Sequence, residues 1–142
     1  MLPKTAEYAL RAVACLAQHS DELLVADVLA ERTQVPRRYL HTVLQDLVKV
    51  GLVDSWTGPG GGYSLGREAS EITILDVVNA VAPLERIRHC PLGRPSHTKL
   101  CPLHRELDRA YAESERAFAS VTISQLLGRR GDILPLCDVP DS

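Results

Sequence analysis

Apolar residues recur at three- and four-residue steps through most of this chain and alternate only in one short stretch. Ala6, Ala9, Leu10, Val13, Leu16 and Ala17 predict a helix from Thr5 to about His19, with a broad surface of small side chains. Cys15 lies in it and reads as a small buried hydrophobe. Ser20 to Leu24 is a turn into a short extended piece, and Val25 to Thr33 a second helix with Val28 and Leu29 inward. After a break at Gln34 comes the sharpest pattern of the chain. Val35, Tyr39, Leu40, Val43, Leu44, Leu47 and Val48 form one stripe of a third helix. Pro36 suits its first position, where a missing N–H costs nothing, and Gly51 suits its end. Leu52 to Trp56 alternates as a strand does, Thr57 to Gly62 is a turn, and Tyr63 to Leu65 returns as a second strand.

The second half is helical again. Ile72 to Ala82 predicts a helix carrying Ile74, Leu75, Val78 and Val81, stopped by Pro83. Leu84 to Leu100 is a long irregular loop, and loops of that length in a folded domain are usually functional or disordered. Cys101-Pro102-Leu103-His104 opens a long helix to about Ser120. Its seam of Leu103, Leu107, Ala110, Tyr111, Ser114, Ala117, Phe118 and Val121 needs a partner, most simply a second copy of the chain, otherwise packing within the chain. Thr122 to Leu127 makes a short last helix before Gly128, and Gly131 to Ser142 a loose tail in which Cys137 looks incidental.

Two short helices joined by a brief turn, then a hairpin, make a winged helix-turn-helix. The fold class is mainly α with a small β-hairpin wing and a long C-terminal dimerisation helix. The division is a winged domain over 1–82, a sensor loop over 83–100, a dimerisation helix with a short terminal helix over 101–128, and a tail over 129–142.

Composition alters this picture little, and charge alters it locally. A 45% apolar, 24% charged chain is an ordinary globular one, and a net charge of −2 taken alone argues weakly against nucleic acid. Between Arg32 and Val50, however, four Lys/Arg stand against one Asp, whereas Glu68 to the end has nine against eleven. The outward face of the third helix holds Arg37, Arg38, His41, Thr42, Gln45 and Lys49, donors and acceptors that reach base edges and phosphates. On a lone helix such a face is merely solvated. Beside a wing whose tip carries Thr57, Gly60 and Gly61 it reads as a DNA-binding surface. Gly58-Pro59-Gly60-Gly61-Gly62 is no nucleotide loop, because neither its spacing nor a following helix fits one. No nucleophile–base set or cofactor loop marks an enzyme. The start lacks an apolar run long enough for a signal peptide or a membrane span, so a cytoplasmic location and no membrane partner are the expectation. In that setting four cysteines read as core residues, metal ligands or redox switches rather than structural disulfides.

The order of pieces resembles the Rrf-two-type winged-helix regulators, the group of the iron–sulfur cluster regulator IscR, the nitric-oxide sensor NsrR and the cysteine-metabolism regulator CymR. EYALRAVACLA, YLHTVLQDLVKVGLV, GPGGGYSL, ITILDVVNAV and CPLH carry the resemblance, which covers about residues 1–128. It implies a homodimeric transcription regulator on a pseudo-palindromic double-stranded DNA operator, with the third helix in the major groove and the wing in the minor groove. It also implies an iron–sulfur cluster in the loop before the long helix, as several members have. Two features depart from the group. Thr57 stands where an arginine is common, and no cysteine lies between Cys90 and Cys101.

Cys90, Cys101 and His104 are the candidate ligands of a [2Fe–2S] cluster. Positions three apart at a helix start share a face, so Cys101 and His104 can meet one atom. The partial positive charge of the helix end suits a metal-ligating or nucleophilic sulfur at Cys101. His97 is one source of the fourth ligand. Glu7 is the other, because the partner subunit's first helix supplies an oxygen ligand in some relatives. Arg86, Arg88 and Arg94 would suit a cluster's negative charge. A zinc site, a reversible Cys90–Cys101 disulfide and a structural loop remain alternatives, as does a metal-binding interaction module without specific DNA recognition.

Overall fold

A computed structural model describes residues 2–89, 92–93 and 99–128. Six α-helices and one antiparallel hairpin run in the order α1 (Lys4–Gln18), α2 (Ala26–Thr33), α3 (Arg37–Lys49), β1 (Val53–Trp56), β2 (Gly62–Leu65), α4 (Ile74–Val81), α5 (Pro102–Ala119) and α6 (Ile123–Leu127). The expected fold class, mainly α with a two-stranded wing, is the one observed.

The core is aliphatic and centred on α1. Ala6, Ala9, Ala12, Val13, Cys15 and Leu16 are buried there, and the small residues let the other helices approach closely. The α3 stripe buries Leu40, Val43, Leu44 and Leu47 against it. A 13-residue helix is marginal alone in water, whereas each such buried side chain contributes about 2 kcal/mol. Packing, not propensity, therefore holds α3 in place. The periodicity misassigns Tyr39, which is 42% exposed. It stands about 100° round the helix from Leu40, off the edge of the stripe. Its ring instead meets Tyr8 of α1 at 6.0 Å.

Helix ends shift for local reasons. Pro36 is the cap of α3, with extended backbone, and not its first helical residue. Gly51 follows α3 at φ +81, the left-handed geometry expected of a residue that stops a helix. Leu52 is buried just before β1 rather than within it. The fourth helix starts at Ile74, two residues later than expected. The Thr73 side chain and the Asp76 carboxylate cap each other's backbone N–H groups there, which fixes the start. Its fully buried pair is Val77 and Val78, and Ile74, Leu75 and Val81 are half-buried.

The wing is broader than a hairpin. β1 and β2 pair Val53 with Leu65 and Trp56 with Gly62. Leu24, in the extended piece after α1, adds a third row by exchanging two hydrogen bonds with Tyr63 at 2.8 and 3.0 Å. At its far end the chain returns to the core. Thr73 and Thr122 form a bridge, the Ile123 N–H donates to the Ile72 carbonyl at 2.8 Å, and Ile123 is fully buried. Between these anchors α5 has no fully buried residue, and Leu103, Leu107 and Tyr111 are exposed on it. None of the described helices is long and apolar enough to cross a membrane.

Candidate functional site

The outward residues of α3 form one surface. At 100° per residue, Arg38, His41, Thr42, Gln45 and Lys49 fall within about 100° of arc opposite the buried stripe, and all five are exposed. Arg37 stands about 40° outside that arc, on the side of Leu44, and pairs with Asp27 of α2 at 2.7 Å. Arg38 lies over the Tyr39 ring at 4.6 Å and donates to its hydroxyl at 3.0 Å. Both guanidiniums are solvent-facing, so these pairings are weak ones, within about 1 kcal/mol. On α1, Lys4 and Arg11 both lie near the Tyr8 ring. Arg11 also donates to the Thr33 carbonyl at 3.2 Å, which ties α1 to the turn before α3. The link from Arg11 to Thr33 spans 22 residues and has no signal in the periodicity.

At the wing tip, the Gly61 N–H donates to the Gly58 carbonyl at 3.0 Å, with Pro59 and then Gly60 at φ +76 between them. That is a type II turn, for which proline followed by glycine is the required chemistry. Thr57 and Gly60 are exposed and Gly61 is half-buried. A side chain at Gly61 would collide with the Trp56 carbonyl, so the tip presents bare backbone.

The second cluster lies at the head of α5. Cys101 caps the helix, His104 is its third residue, and Sγ and Nδ1 are 3.2 Å apart. The two donor atoms are thus side by side, half-buried and chemically apt for a metal or a redox step. Cys90, His97 and Arg94 lie outside the described residues. Among the described residues no third His, Cys, Asp or Glu joins the pair. Glu7 is exposed on α1, pairs with Arg11 at 3.3 Å, and lines a hollow with Leu2, Leu84, Tyr111, Ser114 and Phe118. Tyr111 is ten residues along α5 from Cys101, about 15 Å, so within one chain Glu7 and Cys101 are apart. Cys15 is buried in the core as expected, and burial raises its thiol pKa, which keeps it inert.

Sequence patterns did not disclose what holds the loop to α5. Asp108 accepts from Arg86 Nε and Nη2, both at 2.7 Å, and from the Ile87 N–H at 2.8 Å. Arg86 is therefore already neutralised and is a poor counter-charge for a cluster. The Arg86 guanidinium first, and the Ile87 N–H after it, hold the Asp108 carboxyl at about 2 instead of 3.8. A depressed carboxylate pKa stabilises the fold above the ordinary value, and that contribution is lost as pH falls through the folded one. Asp108→Asn should thus melt below the parent protein at pH 7. The gap should close as pH falls from about 4 to about 2. Thermal melts at a series of pH values check this, and a gap independent of pH would remove the clamp.

A winged helix-turn-helix with these parts has known relatives. The family of iron-dependent transcriptional regulators designated Rrf2 matches residues 2–129. The chain belongs to the Rrf2 family. A protein of Aquifex aeolicus classed as an HTH-type transcriptional regulator is 31% identical over 127 residues, 87% of this chain and 88% of that one. The HTH-type regulator IscR of Photorhabdus laumondii is 43% identical over 82 residues, 56% of this chain and about half, 49%, of IscR. Among solved structures, IscR of T. potens superposes with a TM-score of 0.74 at 23% identity, covering 89% of this chain and 85% of that one. CymR of B. subtilis gives 0.72 at 22%, covering 89% and 95%. At those identities the structures speak for the fold. This Rrf2 protein is a DNA-binding transcriptional regulator, not an enzyme.

Proposed function

We propose that the protein is a homodimeric regulator that reads a pseudo-palindromic operator and senses redox, iron–sulfur or nitric-oxide status through a Cys/His-ligated [2Fe–2S] cluster. The observation that carries the sensing is the Cys101–His104 pair, two donor atoms 3.2 Å apart at the head of α5 in a family described as iron-dependent. Cys90 is the third ligand in this reading, and His97 or Glu7 of the partner subunit the fourth. When bound, the cluster supplies a centre whose charge and integrity change with oxidant, nitric oxide or iron supply. The chain's own part is mechanical. Asp108 ties the loop to α5, so a change at Cys101 reaches both.

Arg38, His41, Thr42, Gln45 and Lys49 read the major groove, with Arg37 beside that face. The wing tip at Thr57, Gly60 and Gly61 follows the minor groove. Exposed Leu103, Leu107 and Tyr111 on α5 favour a second copy as the partner of that helix. Two recognition helices related by a two-fold would then meet half-sites about one DNA turn apart. Residues 1–82 serve reading, 83–100 sensing and 101–128 dimerisation, with 129–142 a tail outside the described structure from Arg129 on.

A thiol switch is the second reading. The Cys101 sulfur beside an imidazole favours it, and CymR of Staphylococcus aureus, similar in fold at a TM-score of 0.72, has been solved in an oxidised form. Here Cys90 and Cys101 would form a reversible disulfide. Zinc fits the donor types equally but no common zinc spacing. One preparation separates these readings. Purified without oxygen, a cluster protein is coloured, with iron and acid-labile sulfide about equal, and Cys101→Ala or Cys90→Ala loses both. A colourless, metal-free protein overturns the cluster, and a free-thiol count before and after oxidant then tests the disulfide.

A further inference from the structure

The wing carries a surface that α3 does not account for. Leu24, Tyr63 and Ser55 share a row on the core side of the three-row wing. By the same register, Val25, Gly62 and Trp56 form the next row, and Leu23, Ser64 and Asp54 the row on its other side. Both flanking rows point the opposite way. Three large apolar side chains stand in the open there: Trp56 at 56% exposure, Val25 at 47% and Leu23 at 40%. The Trp56 Nε1–H donates to Ser64 Oγ at 3.2 Å, which leans the indole across the hairpin while leaving more than half of it in solvent. An exposed tryptophan held in one orientation is a contact surface, since its ordering entropy is already spent before a partner arrives.

What it touches follows from its place. Trp56 immediately precedes the tip turn, and β1 begins four residues after α3 ends. From Val50 to Gly66 the chain has no Lys or Arg and one carboxylate, Asp54. The wing therefore offers a nucleic acid no cation, yet it is continuous with the helix-turn-helix of a DNA-binding family. An apolar plate in that position suits the deoxyribose edge of a strand rather than its phosphates. We propose that Trp56 is a DNA contact, its indole packing against backbone sugars beside the bases read by α3 and giving the wing a hold that salt does not weaken. This rests on reading α3 as the recognition helix.

The chain has a single tryptophan, so its own emission reports the contact. The probe is a labelled short duplex selected from a randomised pool by the parent protein. Saturation should quench Trp56 emission. Trp56→Ala should raise Kd by about tenfold, the scale of exposing the apolar area that one face of an indole covers. The slope of log K against log salt should stay unchanged, because every phosphate keeps its cation. Trp56→Phe should keep most of the affinity, which separates a missing face from a loosened hairpin. Binding with unmoved emission and an unchanged Kd in Trp56→Ala overturns the proposal and gives the surface to a protein partner. If the parent protein retains no duplex at any salt, the reading of α3 fails first and takes Trp56 with it.

Discussion

Replacing Arg37 and Arg38 together by alanine is expected to weaken duplex DNA binding about a hundredfold, since each arginine on a base or phosphate is worth roughly 1–3 kcal/mol. The effect is electrostatic. Arg37 and Arg38 are two of the four basic residues between Arg32 and Val50, in a protein whose net charge is −2. Removing two cations from the phosphates should also flatten the salt dependence by about two ion equivalents. In the free protein Arg37 holds Asp27 and Arg38 lies on Tyr39, but both are exposed pairings that contribute little and can be exchanged for phosphate. The double variant should accordingly melt close to the parent. Fluorescence anisotropy with a labelled duplex at several salt concentrations measures both quantities. Undiminished binding would falsify the assignment of α3 as the reading surface.

The second large effect is on stability and lies far from that surface. Ile123→Ala should cost about 3 kcal/mol, in the range for buried large-to-small changes, and lower Tm by roughly 10 °C in a chain of this size. Ile123 is fully buried, packs into the α1 core, and donates its N–H to Ile72. The capping pair of Thr122 and Gln125 fixes the helix start around it, so the cavity cannot close by a small slide of α6. Ile123→Val should cost only about 1 kcal/mol. Urea denaturation of both variants checks the gradation. A destabilisation below about 1 kcal/mol in the alanine variant would mean that α6 melts apart from the rest.

Much of this architecture was legible because it depends on local periodicity. The α3 stripe, the glycine stop at Gly51, the proline-glycine turn of the wing and the Cys101–His104 juxtaposition each follow from short spacings along the chain. Tyr39 shows where periodicity stops being informative. It places a residue near an apolar edge, but whether an amphipathic ring turns inward depends on its neighbours, here Tyr8 and Arg38. Asp108 shows a deeper limit, for its partner Arg86 is 22 residues away across an irregular loop. Trp56 reads in the sequence as half of an alternating strand. Only the register with Gly62, the indole's hydrogen bond to Ser64 and the third row at Leu24 reveal which side it takes.

The return of the chain at Ile123 sets how α5 can move. Its far end is tied to the core through the short stretch to Thr122, which bridges Thr73, and the buried Ile123, and its near end carries Cys101 and His104. With 18 residues between, α5 is a rod about 27 Å long. It is a lever with its fulcrum beside α1, the same helix against which α3 is packed. A tilt of a few degrees at the fulcrum is a displacement of about 2 Å at the sulfur. A small pull on that sulfur would pass first into α4, on which α5 packs and which itself packs on α3.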